Sequence, residues 1–507
     1  MIDDPAHSHA TFSGQELWFV AGSQDLYGPE ILARVEQQSG AIAAALDGAP
    51  EIPLAVTARA VVTSAEAIRR LCVEANSSER CVGIVAWMHT FSPAKMWIAG
   101  LRALQKPLLH LHTQFNLELP WAEIDMDFMN LNQSAHGDRE FAHLAARMRL
   151  RHKTVVGHWS EPRVRHEIAA WGRAACGWRE AARLRIARFG DNMRDVAVTE
   201  GDKVEAQARL GFSVEGFGVG DLLAAIDAAT PAAVDGLIAQ YEHEYELAGE
   251  LAANGPRRQL LVDAARIEAG LRAFLEAGGF AAFTDTFQDL HGLRQLPGIA
   301  AQRLMADGYG FGAEGDWKVA ALVRILKVMG SGLPGGASFM EDYTYDLGSG
   351  GAVLGSHMLE ICPSIAAARP RCEIHPLSIG DREDPVRLVF TAASGPAVLL
   401  SLVDLGDRFR LVANEIDVIV PPHPLPRLPV ARALWTPRPH FAAATQAWLE
   451  AGGSHHSAFT SALGIDALVD FANIAGVEIV VIDGSADPDA IRDRLRWNDA
   501  YHQLNRH

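Results

Sequence analysis

The chain has 507 residues, 49% of them hydrophobic and 21% charged, so it should fold into about three globular domains. A formal net charge of −17 with no compensating Lys/Arg run disfavours nucleic acids and anionic membranes as partners. The polar start, Met1–Ala10, is unlike a secretory signal, and no segment reaches the roughly 18 apolar residues of a membrane-spanning helix, so we expect a cytoplasmic protein.

The first part of the chain alternates short apolar runs with longer amphipathic ones. The predicted elements are strands at 17–21, 82–87 and 107–112 and helices at 29–46, 63–75 and from 92 onward. Thr63 and Glu66 form a capping-box pattern at the second helix. Such alternation predicts a parallel sheet covered on both faces. Ligands bind at the carboxyl ends of its strands, where the polar loops 22–24, 88–90 and 112–114 are expected, although each loop alone could simply cap a turn.

The remaining elements indicate two further regions. A helix from Pro162 to about Ala182 leads into a second α/β region, and residues after Asp384 are rich in strand patterns. The predicted elements are strands at 184–189, 196–198, 386–390, 397–403, 409–420 and 478–483 and helices at 201–210, 319–328, 442–451 and 488–497, with helical patterns dominating 231–278. We therefore predict two Rossmann-like parallel-sheet domains, 1–184 and 185–336, and a C-terminal β-rich α+β domain, 337–507, with an antiparallel sheet or small barrel.

Acidic and imidazole side chains in apolar or glycine-rich settings are the strongest local signs of chemistry. Glu314 lies at a turn after a glycine-rich run, Glu341 lies among large apolar residues, and His357 has a similar setting. Buried charges usually need a partner or a metal ion. Each residue also has an ordinary interpretation, since Glu314 or Asp316 could only favour a helix N-terminus and a lone histidine is often a core residue.

Two adjacent histidines, His455 and His456, follow a helix at a glycine turn. Adjacent side chains point in different directions, so at most one is expected to reach a given site. Two carboxylates with two imidazoles suit Mn²⁺, or less selectively Zn²⁺, Co²⁺ or Fe²⁺, but the spacing alone is weak support. Nucleotide-binding glycine motifs are absent, and five scattered cysteines without CxxC spacing are expected to be buried and reduced.

At this point several long segments are recognisable. The chain resembles the bacterial L-arabinose isomerase family in segments at residues 18–28, 87–93, 126–133, 189–194, 312–318, 338–345 and 455–456. The resemblance extends along nearly the whole chain. It implies a three-domain fold like that of fucose isomerase and one Mn²⁺ per subunit, with Co²⁺ as a substitute. It also implies a hexamer or tetramer in which loops of a neighbouring subunit complete each site.

The resemblance also assigns roles to individual residues. The implied metal ligands are Glu314, Glu341, His357 and, as second of the pair, His456. The two glutamates are also the implied acid/base pair. The implied substrate contacts are Gln24, Leu26, Tyr27, Phe91, Gln133, His136, Met193 and Phe287.

The activity implied by the resemblance is an aldose–ketose isomerisation. L-Arabinose would become L-ribulose through a metal-stabilised cis-enediol(ate), as the first step of L-arabinose degradation, and D-galactose would give D-tagatose as a side activity. Asp25 and Gln288 stand where the family commonly has histidine and glutamate, so sugar preference is the more open part. The alternatives are a related ketol isomerase of another aldose and a non-catalytic sugar-binding protein.

Overall fold

The computed structural model describes residues 12–348, 350–377 and 382–504; the polar start of the chain lies outside these ranges. It divides into two compact units. The first unit comprises residues up to Arg179 together with Val469–Gly476, and the second comprises Glu180–Leu468 and the chain from Val477. Within the described ranges no single helix is long and apolar enough to cross a membrane; one pair of helices passes that test only when joined across a 91° bend.

The first unit is built on a five-stranded parallel sheet. Its strands are β1 Glu16–Gly22, β2 Ala55–Ala58, β3 Cys81–Met88, β4 Leu108–His112 and β5 Lys153–Val156. The helices are α1 Gly28–Asp47, α2 Ala65–Ser77, α3 Ile98–Ala103, α4 Met126–Leu131, α5 Ser134–Met148 and α6 Pro162–Ala181. The strand order is β2-β1-β3-β4-β5. Every residue of β1 and β3 is buried, as continuous apolar runs of a sheet covered on both faces should be.

Two local predictions in this unit are wrong. The N-cap of α2 is Ser64 rather than Thr63, because the Ser64 hydroxyl accepts a 3.2 Å hydrogen bond from the backbone N–H of Ala67. The stretch after Ser92-Pro93 begins as a 3-10 turn, Ala94–Trp97, and becomes α-helical only in α3. Both differences concern the first turn of a helix, where several neighbouring residues can serve as the cap.

The second unit begins with another parallel sheet. Its strands are β6 Arg185–Phe189, β7 Ser213–Phe217, β9 Ala282–Asp285 and β10 Gly310–Ala313, in the order β10-β9-β6-β7. The helices are α7 Lys203–Leu210, α8 Val219–Asp227, α9 Pro231–Glu244, α10 Arg258–Gly278, α11 Gly298–Ala306 and α12 Trp317–Met329. The strand predicted at 196–198 is wrong. The chain forms a 3-10 turn, Ala197–Thr199, because Thr199 bonds back to the Val196 carbonyl through its hydroxyl.

The rest of the second unit is rich in strands. These strands are β11 Ala337–Asp346, β12 Ala352–Ser356, β13 Arg371–Ile374, β14 Val386–Val389, β15 Gly395–Asp404, β16 Phe409–Ile419, β17 Arg432–Pro437, β18 His456–Thr460 and β19 Glu478–Ile482. The closing helices are α13 Phe441–Glu450 and α15 Pro488–Leu504, and between them lies α14 Ile465–Ala475, whose residues from Val469 onward belong to the first unit. The antiparallel order β15-β18-β11-β12-β17-β16 closes into a barrel because β16 also pairs with β15.

The fold class predicted from sequence is therefore confirmed: two parallel sheets precede a β-rich barrel. Strand β19 adds one parallel pairing at β16, and β13 and β14 form a small sheet with the short strand β8, Glu246–Leu247. The division into three domains stays a prediction.

Close packing of β10 on α12 fixes the turn that carries Glu314. A Cβ on Gly312 would lie 2.2 Å from the backbone oxygen of Asp316, so only glycine allows this approach. The carboxylate of Asp316 caps α12 by accepting from the N–H groups of Lys318 and Val319. The turn thus depends on a glycine and a cap acting together.

Replacing Gly312 by alanine should lower stability by about 1–3 kcal/mol, because the strand must move away from the helix. Thermal unfolding would measure the change. The matched control is Gly236→Ala on the exposed face of α9, where a Cβ meets nothing within 4 Å and should be neutral or mildly stabilising. Equal melting temperatures for the two variants would contradict this account of the turn.

Candidate metal centre

Strand register brings three of the predicted ligands side by side at one end of the barrel. Glu341 on β11 pairs with His456 on β18 and with Ser356 on β12. His357 is the residue directly after Ser356, so it follows the same strand edge. The glycine turn before the histidine pair is shorter than its sequence suggests, because His456 already belongs to β18.

Glu314 reaches the same place from the parallel sheet. It follows β10 at the carboxyl end of the sheet, with a backbone φ of 61°, a left-handed conformation that is uncommon outside glycine. Two hydrogen bonds hold this turn: the Gly315 N–H donates to the Asp285 carbonyl at 3.0 Å, and the Met193 N–H donates to the Glu314 carbonyl at 3.0 Å. Strained residues held in this way often occur at functional sites.

The four side chains come together as two carboxylate–imidazole pairs. His456 Nε2 lies 3.8 Å from Glu314 Oε2, and His357 Nε2 lies 3.9 Å from Glu341 Oε2. These separations are too long for hydrogen bonds but fit two atoms that share a cation between them. His456 is fully buried, and its Nε2 has no hydrogen-bond partner among the described residues. An unpaired buried nitrogen of this kind is costly unless it binds a ligand.

A further pair of carboxylates orients the two imidazoles. Asp316 Oδ2 lies 3.2 Å from His456 Nδ1, and Glu360 Oε2 lies 2.5 Å from His357 Nδ1. When each Nδ1 donates to its carboxylate, each Nε2 keeps its lone pair for a metal ion, the arrangement typical of metal-bound histidines. Asp316 therefore both caps α12 and orients a ligand, whereas sequence reasoning gave it only the first role.

Glu360 was missed from the sequence altogether. It stands among Leu359 and Ile361, three residues after His357, and it is 7% exposed. An acid in so apolar a run could have been noticed as a charge that needs a partner. Its function depends on the turn after β12 that brings it back to His357.

The site carries an excess of negative charge. Burial, with the Glu360 carboxylate second, raises the pKa of Asp285 to about 7. Burial and the adjacent Glu341 raise the pKa of Asp342 to about 7. Burial lowers the pKa of His357, but Glu360, Glu341 and Glu314 outweigh it and raise that pKa to about 9. A group of carboxylates that raises the pKa values of its neighbours favours a cation at its centre.

His455 also lies at the site, contrary to the expectation that only one histidine of the pair would reach it. Its Nε2 is 4.0 Å from Glu341 Oε1, and Glu314, His455 and His456 themselves form a compact group of metal-ligand type. Its side chain is 41% exposed, while that of His456 is fully buried and held by Asp316. Orientation and burial therefore favour His456 as the ligand, with His455 on the open side.

Two of the predicted substrate contacts lie on loops beside Glu314. Met193 is bonded to Glu314 through its backbone, and Phe287 follows β9 by two residues. Gln288 links these loops, because its Oε1 accepts from the Arg194 backbone N–H at 2.9 Å and from the Arg194 guanidinium at 3.1 Å. Gln288, which stands where the family commonly has glutamate, thus links the two loops through its side-chain amide.

The other predicted substrate contacts lie in the first unit, at the carboxyl end of its sheet. Phe91 and His136 stack with ring centroids 4.6 Å apart, and the Gln133 backbone N–H donates to the His89 carbonyl. Gln24, Leu26 and Tyr27 follow β1, and Leu26 is 84% exposed. The loops after β1 and β3 are joined by a 2.6 Å hydrogen bond between the Ser23 and Thr90 hydroxyls. The structure thus gathers these residues at one sheet edge.

The cysteines are not part of either group. All five are buried and free of disulfides, as predicted. Burial raises the pKa of Cys176 to about 12, which leaves its thiol protonated and unreactive at neutral pH.

Comparison with known proteins agrees with the resemblance seen in the sequence. Models of the L-arabinose isomerase N-terminal, central and C-terminal domains match residues 11–183, 185–332 and 336–478. The chain is 61% identical to an L-arabinose isomerase of Koribacter versatilis over 96% of this chain and 98% of the relative. It is 55% identical to that of Geobacillus stearothermophilus over 96% and 98% of the two chains.

The chain belongs to the L-arabinose isomerase family. Three domain models in succession and near-complete coverage of relatives on both sides make this assignment independent of any single motif. Within the isomerase family fold, the four-residue centre at the barrel edge is the place where a divalent cation would fit.

Removing either orienting carboxylate should weaken cation binding by roughly 10–100-fold, because the histidine it holds loses its fixed tautomer. Asp316→Asn and Glu360→Gln keep the size of each side chain, and titration calorimetry with Mn²⁺ measures the affinity. The control is Asp489→Asn, which changes an acid on α15 that is paired with Arg492 and whose side chain is 82% exposed. Wild-type affinity in both site variants would mean that these carboxylates do not serve the centre.

Proposed function

We propose that this protein converts L-arabinose into L-ribulose, the first step of L-arabinose degradation. The proposal is carried by the family membership of the chain together with one feature of the site. The buried His456 Nε2 faces Glu314 and has no hydrogen-bond partner among the described residues. Its relatives named L-arabinose isomerase share 55–61% of their residues with it over nearly their whole length.

The cofactor we propose is one Mn²⁺ per subunit, with Co²⁺ as a substitute, held by Glu314, Glu341, His357 and His456. Two carboxylate and two imidazole ligands suit such borderline cations better than Ca²⁺, which prefers oxygen alone. When bound, the cation would polarise the sugar carbonyl and stabilise the negative charge of a cis-enediolate.

The two glutamates supply the acid/base pair. One carboxylate takes the proton from C2 of the open-chain aldose, and a proton is returned at C1, while the hydroxyl proton of O2 is transferred to O1. Together these proton transfers convert the aldehyde at C1 into an alcohol and the alcohol at C2 into a ketone. The side chains of Glu314 and Glu341 are 18% and 19% exposed, so both can meet a bound sugar, unlike the fully buried Asp316.

Substrate contacts are proposed for the same residues that the resemblance implied. Met193 and Phe287 would serve the metal centre of their own unit. The proposed contacts at the carboxyl end of the first unit's sheet would serve a centre in a homo-oligomer, hexameric or tetrameric. These contacts are Gln24, Leu26, Tyr27, Phe91, Gln133 and His136. The exposure of Leu26 and His136 in the single chain supports this assignment. We also propose a cytoplasmic location and the domain division at 184 and 336.

Ketose formation from L-arabinose should require Mn²⁺, and Glu314→Gln and Glu341→Gln should each lose turnover by at least a hundredfold while keeping the wild-type melting temperature. A colorimetric ketose assay after chelator dialysis, with and without restored Mn²⁺, measures this. Glu276→Gln, an exposed change on α10, is the control and should stay fully active.

Two outcomes would overturn the assignment. Near-normal activity in both glutamine variants would remove the acid/base roles. Binding of aldoses without any ketose formation would favour a non-catalytic sugar-binding protein. A panel including D-galactose tests the side activity that yields D-tagatose, and a faster rate on another aldose would identify a related ketol isomerase.

Isomerisation in deuterated water should place solvent deuterium at C1 of the ketose, because a proton removed by a carboxylate can exchange before it returns. Proton NMR of the product measures the label. Ketose formed without any deuterium at C1 would instead indicate direct hydride transfer from C2 to C1.

A further inference from the structure

A buried carboxylate joins two histidines near the carboxyl end of the first unit's sheet. Asp138, on α5, has a fully buried side chain; its Oδ1 is 2.8 Å from His110 Nε2 and its Oδ2 is 2.9 Å from His112 Nδ1. Asp138 Oδ1 also accepts a 3.0 Å hydrogen bond from the Met88 backbone N–H. The three residues are of metal-ligand type, but both carboxylate oxygens already accept N–H groups, so the Asp138 carboxylate itself is fully hydrogen-bonded.

The two histidines differ in what remains free. His110 is 1% exposed and packs edge-on against Phe141, so its remaining nitrogen, Nδ1, is buried away from solvent and has no hydrogen-bond partner among the described residues. The His112 side chain is 29% exposed, and its Nε2 has no hydrogen-bond partner among the described residues. The hydrogen bond to Asp138 raises the pKa of His112 against the effect of burial, as expected for an imidazole that donates through Nδ1. Its outer nitrogen is therefore free and fixed in direction.

The location of His112 is the second part of the argument. His112 ends β4, and ligands of parallel sheets bind at the carboxyl ends of strands. The Asp138 carboxylate, which orients His112, accepts a hydrogen bond from the backbone of Met88, three residues before Phe91. Asp138 also lies on α5, the helix that carries His136 in its first turn. One buried side chain thus connects His112 to the two segments that hold the proposed contacts Phe91, Gln133 and His136.

We propose that His112, oriented by Asp138, is a further sugar-binding residue that hydrogen-bonds a hydroxyl group of the substrate through Nε2. The inference rests on the proposed isomerase function. A polyhydroxylated ligand suits this site because a fixed imidazole nitrogen can pair with a hydroxyl as donor or acceptor.

The variant His112→Asn separates this role from a purely structural one. The asparagine amide can take the place of Nδ1 and keep the bond to Asp138, but it has nothing in the place of Nε2. We expect KM for L-arabinose to rise roughly tenfold, the loss of about one hydrogen bond, with kcat, Mn²⁺ affinity and melting temperature at wild-type values. His143→Asn, on the exposed side of α5, the helix that carries Asp138, is the matched control and should leave KM unchanged.

The measurement is steady-state kinetics of the Mn²⁺-loaded full chain. An unchanged KM in His112→Asn would overturn the inference alone, because the wild type would still be an isomerase. A lowered melting temperature or weaker Mn²⁺ binding with the higher KM would assign His112 a structural role and also overturn it. A wild-type protein that forms no ketose would instead contradict the proposed function, and the inference with it.

Discussion

Hydrogen bonding between β18, β11 and β12 is the constraint on which the candidate centre depends. Because side chains alternate along a strand, Glu341 shares a face with its cross-strand partner His456 only in the observed register, and His357 joins them from just beyond the end of β12. A slip of one residue would turn Glu341 to the opposite face of the barrel and bring Asp342 in its place. The pairing of β11 with β12 shifts register between Asp342 and Thr344. The register is therefore strict through Glu341 and relaxes beyond it.

Charge is the second constraint, and it favours a cation at the centre. Asp316 and Glu360 hold the imidazoles, Glu314 and Glu341 face them, and Asp285 is buried beside the group with one carboxylate oxygen unpaired. So many acids in one buried region would repel one another if all were ionised and uncompensated. A divalent cation between the four inner side chains would remove that conflict. In the first unit, the buried Asp138 carboxylate is instead held by hydrogen bonds with His110 and His112.

Much of the architecture could be predicted from apolar runs alone. Strands β1, β3 and β4 are buried on both faces, so their sequences are continuous and easily recognised. Strand β11 was not predicted, because its second half from Glu341 onward is partly or fully exposed and carries acids and tyrosines, as a barrel edge at a binding site must. Prediction failed where function had replaced the ordinary pattern of a strand.

The residues of the candidate site that could be predicted are those whose neighbours in the sequence are themselves unusual. Glu314, Glu341 and His357 were noticeable as charged or imidazole groups in apolar or glycine-rich settings, whereas only the resemblance favoured His456 over His455. The structure supplies the physical reason, since Asp316 holds His456 from 140 positions away in the chain. Glu360 was missed because its partner becomes a neighbour only after the chain turns at the end of β12. Pairings of this kind depend on tertiary folding and leave no periodic trace.

The most direct test of the central claim is the position of the cation itself. Anomalous X-ray scattering at the manganese edge, from crystals grown with Mn²⁺, should show one strong peak in the second unit. It should lie within bonding distance of Nε2 of His357 and His456 and of one oxygen each of Glu314 and Glu341. A peak bound by His455 in place of His456, one located at His110 and His112, or no ordered peak at saturating Mn²⁺ would contradict the account.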